Sequence, residues 1–110
     1  MAPLTRDFRE TVTARAQRDP AFRAALIREA VEAFIEGDVD GCRSLLRDVI
    51  NATAGFETIS NETHISPKSL MRMVGPSGNP TANNLSRIFA AVQKIAAVRS
   101  HVEVEERCDA

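Results

Sequence analysis

Lys68, Ser69 and Arg72 are the residues of this 110-residue chain whose types and spacing carry recognisable chemistry. Lys68 and Arg72 stand four apart, and Ser69 and Arg72 three apart, so one helix face holds all three. On such a face an arginine can donate two hydrogen bonds to O6 and N7 of a guanine. Lysine does so less rigidly, and serine suits several bases. Ser66 and the backbone amides after it, except the one Pro67 lacks, can hold a phosphate. In the following GPSGNPTANN, Asn79, Thr81 and Asn83 are short polar groups suited to phosphate oxygens. The glycines of that stretch allow close backbone approach.

Donors of this kind need a docked helix beneath them. Residues 56–74, FETISNETHISPKSLMRMV, read as two short helices joined by a tight turn, which is how a helix-turn-helix DNA reader is built. In the first piece Phe56, Ile59 and Ser60 face inward. His64 and Ile65 make the turn. Ser66 is an N-cap with Pro67 at the first helical position, and Ile65 can pack on Leu70 as a hydrophobic staple. Leu70, Met73 and Val74 supply the docked face of the second piece.

The remaining elements also read as helices. The segment from Leu4 to Gln17 carries Phe8, Val12 and the Arg15 stem on one side. Asp19 and Pro20 then open a second helix whose apolar positions are Phe22, Leu26, Ile27, Ala30, Val31, Phe34 and Ile35, with Gly37 as its stop. Asp38 or Asp40 caps a third helix with Leu45, Leu46, Val49, Ile50 and Ala52 or Thr53 as its buried stripe, ended by Gly55. Residues 75–80 are a loop. Thr81 caps a last long helix with Leu85, Ile88, Phe89, Val92 and Ile95 or Ala96 in helical period.

The fold class expected is therefore all-α, a compact bundle of five to six helices. It divides into an N-terminal helical extension (1–40), a helix-turn-helix domain (41–97) and a tail (98–110). In the tail Val98, Ser100, Val102 and Val104 alternate, a short-strand pattern. A lone strand beside helices either pairs with its copy or with another protein, or it frays.

Composition narrows the function classes. With 44% hydrophobic residues, five Phe and neither Trp nor Tyr, the core must be aliphatic. Residues 63–102 contain Lys68, Arg72, Arg87, Lys94 and Arg99 and no acid, whereas both flanks are net acidic. A basic window around the reading helix suits a polyanion. Ordinary local variation in charge is the competing account.

The two cysteines, Cys42 and Cys108, fit a reducing cytoplasm and form neither a disulfide framework nor a metal motif. No signal peptide and no membrane span is read, so a soluble cytoplasmic protein is expected. An enzyme is disfavoured. His64 and His101 are the only histidines, and neither has a nucleophile or metal partner at useful spacing. No cofactor is expected, and GPSGNP does not follow a strand as a nucleotide-binding loop does.

From about Leu45 to Val104 the chain resembles the Cro/repressor-type (XRE) helix-turn-helix domain. More narrowly, it resembles the addiction-module antidote proteins, the HigA-like antitoxins encoded beside RelE-type toxins. PKSLMRM, GPSGNPTANNL and the aliphatic helix to Ile95 carry the resemblance. It departs from the family at His64, where glycine is usual, and at Ser60, a small residue that still allows close packing. The N-terminal 40 residues are also longer than the minimal domain needs.

The resemblance implies an antitoxin that represses its own operon as a homodimer on double-stranded DNA, with a RelE-type toxin as partner. In that reading Lys68, Ser69 and Arg72 contact bases, and Ser66, Asn79, Thr81 and Asn83 contact phosphates. The competing expectation is a protein-interaction module without specific DNA binding. It would use the helix Phe22–Ile35 or the segment Val98–Val104, with Glu29, Glu32, Glu36, Asp38 and Asp40 facing a basic partner.

Overall fold

The computed structural model describes the backbone of residues 6–53 and 55–108, and the side chains of 11–53 and 55–108. Within these residues the chain is all-α. Six helices follow in order: α1 (Arg6–Arg18), α2 (Pro20–Ile35), α3 (Val39–Thr53), α4 (Gly55–Thr63), α5 (Pro67–Met73) and α6 (Ala82–Ala96).

Local chemistry sets most boundaries. The Asp19 carboxylate accepts from the amides of Ala21 and Phe22 at 3.1 and 3.2 Å and so caps α2. The helix ends in a Schellman turn: Asp38 N–H donates to Ala33 C=O (2.8 Å) and Gly37 N–H to Phe34 C=O (3.1 Å). Gly37 has φ +89°, which glycine adopts without a Cβ clash. Asp38, rather than Asp40, then caps α3 by accepting from Gly41 N–H at 2.9 Å. Asp40 instead pairs with Arg43. Thr81 caps α6 by accepting from Asn84 N–H at 3.1 Å.

Helix α3 is the centre of the bundle. It packs most extensively on α2, and also on α1, α4 and α6. The expected boundary at residues 40 and 41 falls at its start, so the same helix serves both N-terminal helices and the helices after it. Ile27, Leu46, Val49, Ile50, Ile59, Leu70, Ile88 and Val92 are fully buried. Burial of such side chains stabilises by ~1.5–3 kcal/mol each. Ala16 and Val12 bring α1 onto this core, whereas the Phe8 side chain lies outside the described residues. The Arg15 guanidinium sits over the Phe22 ring, 4.5 Å from its centroid.

Two expectations are corrected. Phe34 and Ile35 leave the core and are 43% and 57% exposed. Ile35 lies at the edge of the roughly 220° over which the apolar positions of α2 spread at 100° per residue, and both residues stand in the last turn of the helix, past Ala30, its last buried residue. Phe34 keeps one edge-to-face contact with Phe89, 6.3 Å between centroids. The Val98–Val104 segment does not form a strand: among the described residues none is in a strand, because no neighbouring edge is offered for it to pair with. No described helix is long and apolar enough to cross a membrane.

Cys42 is buried in α3 and Cys108 is exposed. Burial, and then the nearby Asp38 carboxylate, push the Cys42 thiol from 9.0 up to about 11. A thiol-reactive reagent at pH 8 is therefore expected to titrate Cys108 at once and Cys42 only after unfolding. Two fast thiols in the folded chain would contradict that burial. The folded value lies above the unfolded one, so this group's contribution to stability is present below pH 9 and lost as pH rises through about 11.

Candidate nucleic-acid interface

Helices α4 and α5 meet through a turn that sequence and structure both mark. The Thr63 hydroxyl donates back to Ile59 C=O (2.8 Å) and accepts from Ile65 N–H (3.3 Å), so this buried polar group is satisfied. His64 takes φ +60°, the left-handed conformation that turns the chain. A non-glycine residue there carries ~1–2 kcal/mol of strain. Ile65 and Leu70 are both buried, as a staple requires.

Ser66 caps α5. Its oxygen accepts from Ser69 N–H at 3.2 Å, and its hydroxyl donates to the Ser69 oxygen at 2.9 Å. Ser66 thus spends both functions inside the cap. Ser69 is half-buried and keeps its own hydroxyl proton free to donate.

The outward face of α5 is made by Lys68, Met71 and Arg72, all exposed. Among the described residues Lys68 and Arg72 have no hydrogen-bond or ion-pair partner. Leu70 and Val74 are buried on the opposite side, with half-buried Met73 packed against the core. The other cations of the basic window divide differently. Arg87 donates to Thr63 C=O and so caps the end of α4. Lys94 pairs with Glu62 at 3.1 Å. Lys68, Arg72 and Arg99 remain the window's unpaired cations among the described residues.

The loop after α5 holds it in place. A Cβ on Gly78 would fall on the carbonyl oxygens of Met73 and Arg72. The close approach expected of this glycine is therefore to the end of α5. Asn79 and Thr81 follow it, exposed, and the three residues from Gly78 to Thr81 span at most ~11 Å. Thr81 and exposed Asn83 thus begin α6 near the end of α5.

Sequence reasoning missed two residues here. Met71, 53% exposed, adds an apolar group to the outward face. An exposed thioether three residues after Lys68 was the available signal. Arg43, on α3, is buried and donates to Gly75 C=O at the end of α5 and to Asp40. Its Nε has no partner. No sequence signal marks a contact 32 residues away. Arg43→Met keeps the stem's volume but leaves the Gly75 carbonyl without its donor. It is expected to lower stability by about 1–2 kcal/mol in urea unfolding, and no change would show the bond to be idle.

Comparison with family models, curated proteins and solved structures finds no match to this chain. Among the described residues no group of three His, Cys, Asp or Glu side chains is placed to hold a metal ion.

Proposed function

We propose that this chain is a sequence-specific DNA-binding regulator of the Cro/repressor helix-turn-helix kind, and that it acts as the cytoplasmic antitoxin of a toxin–antitoxin pair, repressing its own operon as a homodimer. The observation that carries the reading is the outward face of α5. It presents two unpaired cations, Lys68 and Arg72, on a short helix whose back is locked into the core. Inserted into a major groove, Arg72 and Lys68 address guanine edges, Met71 addresses a thymine methyl, and the Ser69 hydroxyl donates to a base acceptor. Asn79, Thr81 and Asn83 meet backbone phosphates. Ser66 contributes through the turn it caps. Two copies place two such helices ~34 Å apart on a palindrome.

The test is fluorescence anisotropy on DNA from the chain's own upstream region, titrated with salt. Affinity for that DNA over a scrambled duplex, falling steeply as salt rises, is the expected result. Equal affinity for both duplexes refutes sequence-specific reading of that DNA.

Neutralisation of a basic RelE-type toxin has its own support. Phe34, Ile35 and Val39 are exposed apolar side chains at the α2–α3 corner, beside the exposed acids Glu32, Glu36, Asp38 and Asp40. Apolar groups rimmed by one charge suit a partner of the opposite charge. Because α2 covers α3, deleting the N-terminal helices would expose core. Ile35→Asp is the cleaner probe, expected to weaken capture of the toxin encoded beside the gene while leaving DNA binding unchanged.

A further inference from the structure

The chain leaves α6 in a fixed direction. Ala97 takes the left-handed conformation (φ +56°), Val98 N–H donates to Gln93 C=O at 3.0 Å, and Ser100 N–H donates to the Gln93 side chain at 2.9 Å. Beyond that point residues 101–106 make no backbone–backbone hydrogen bond among the described residues. Val102 and Val104 are 56% and 92% exposed. A directed segment with period-two apolar patterning and unpaired backbone is an edge awaiting a strand.

The charges say which strand. In one extended chain Arg99 and Glu103 lie ~13 Å apart and cannot pair. Across an antiparallel pair, residues directly opposite have Cβ atoms ~5 Å apart. For two identical strands about a two-fold axis, opposite residues share a face, so the axis must pass through a residue rather than between two. An axis at His101 opposes Arg99 to Glu103 twice, Val98 to Val104 twice and Ser100 to Val102 twice. Moving it to Val102 sets Val98 against Glu106, and moving it to Glu103 sets Arg99 against Arg107. Of these three centres, His101 is the one that sets Val98 against a valine and Arg99 against an acid, with Ser100 against Val102 as its mixed pair.

We infer that residues 98–104 form the interface between two copies of this chain, paired antiparallel about His101. A two-stranded ribbon alone is marginal in water and needs an apolar cover. An open cleft of about 880 Å³ lies between this segment and α2, bounded by Ala24, Ala25, Arg28 and Val31 on one side and by residues 98–103, Val98 and Val102 among them, on the other. The valine face of the ribbon closes on it.

This inference rests on the proposed homodimer, and its readouts need no DNA. Sedimentation equilibrium of the full chain is expected to show a dimer. Arg99→Glu alone and Glu103→Arg alone each set like charges opposite one another at both sites, and each is expected to weaken the dimer about tenfold or more. Mixing the two variants restores both pairs, so a heterodimer of wild-type affinity should form. In a Cys108→Ser background, His101→Cys should give a disulfide-linked dimer with diamide, whereas Val102→Cys should link far less. A monomeric wild-type chain, or a dimer indifferent to both charge reversals, overturns the interface. A charge-sensitive dimer that ignores its upstream DNA overturns the regulator reading and leaves the interface standing.

Discussion

Replacing Lys68 and Arg72 together by alanine is expected to abolish preference for the operator while leaving the fold intact. Each base contact is worth ~1–3 kcal/mol, so losing both costs about 2–6 kcal/mol, or roughly 30-fold to 20,000-fold in Kd. Both side chains are exposed and carry no partner among the described residues, so their removal leaves no buried group unsatisfied. Circular dichroism and the urea midpoint should match wild type. Arg87→Ala is the contrasting variant. It removes one positive charge from the same basic window, but that arginine caps α4. It should reduce stability by about 1 kcal/mol. A double mutant that retains full operator affinity would sink the assignment of α5 as the reader.

Gly78→Ala is expected to be the most damaging single methyl that can be added to the connection between α5 and α6. The new Cβ would strike the Met73 and Arg72 carbonyl oxygens, which are backbone and cannot rotate away. Forcing a methyl into such a contact costs about 2–3 kcal/mol. For a domain of this size that lowers Tm by roughly 10 °C. The displaced end of α5 carries Arg72, so operator affinity should fall although Gly78 touches no base. Gly37→Ala separates sterics from backbone strain. It has φ +89° but nothing within 4 Å of an added Cβ. Its loss should be only the ~1 kcal/mol of a left-handed alanine. Equal melting of Gly78→Ala and wild type would show that the loop can move aside.

What could be read from the chain was what is local. Asp19–Pro20, Ser66–Pro67 and Thr81 announce helix starts because a cap bonds to amides two or three residues away. His64 could be placed in the turn for the same reason. What escaped depends on distance. Asp38 and Asp40 were equivalent caps until Arg43 claimed Asp40. Phe34 and Ile35 fit a helical period that α2 has but its neighbours do not fill. The role of Gly78 is set by carbonyls of another element. Of the three residues expected to contact bases, Lys68 and Arg72 lie on one open face, which Met71 shares. Ser69 is turned partly into its own cap.

The three-residue connection between α2 and α3 has a consequence during synthesis. These helices form the most extensive pair in the bundle and are adjacent in sequence. Such short-range pairings form in microseconds to milliseconds. A ribosome adding ~5–20 residues per second needs about 2–9 s to pass from Thr53 to Ala96. The first three helices can therefore associate long before α6 exists. Through those seconds the face of α3 that α6 will cover stays bare on the nascent chain. That interval is when the protein is most open to capture by chaperones or to proteolysis.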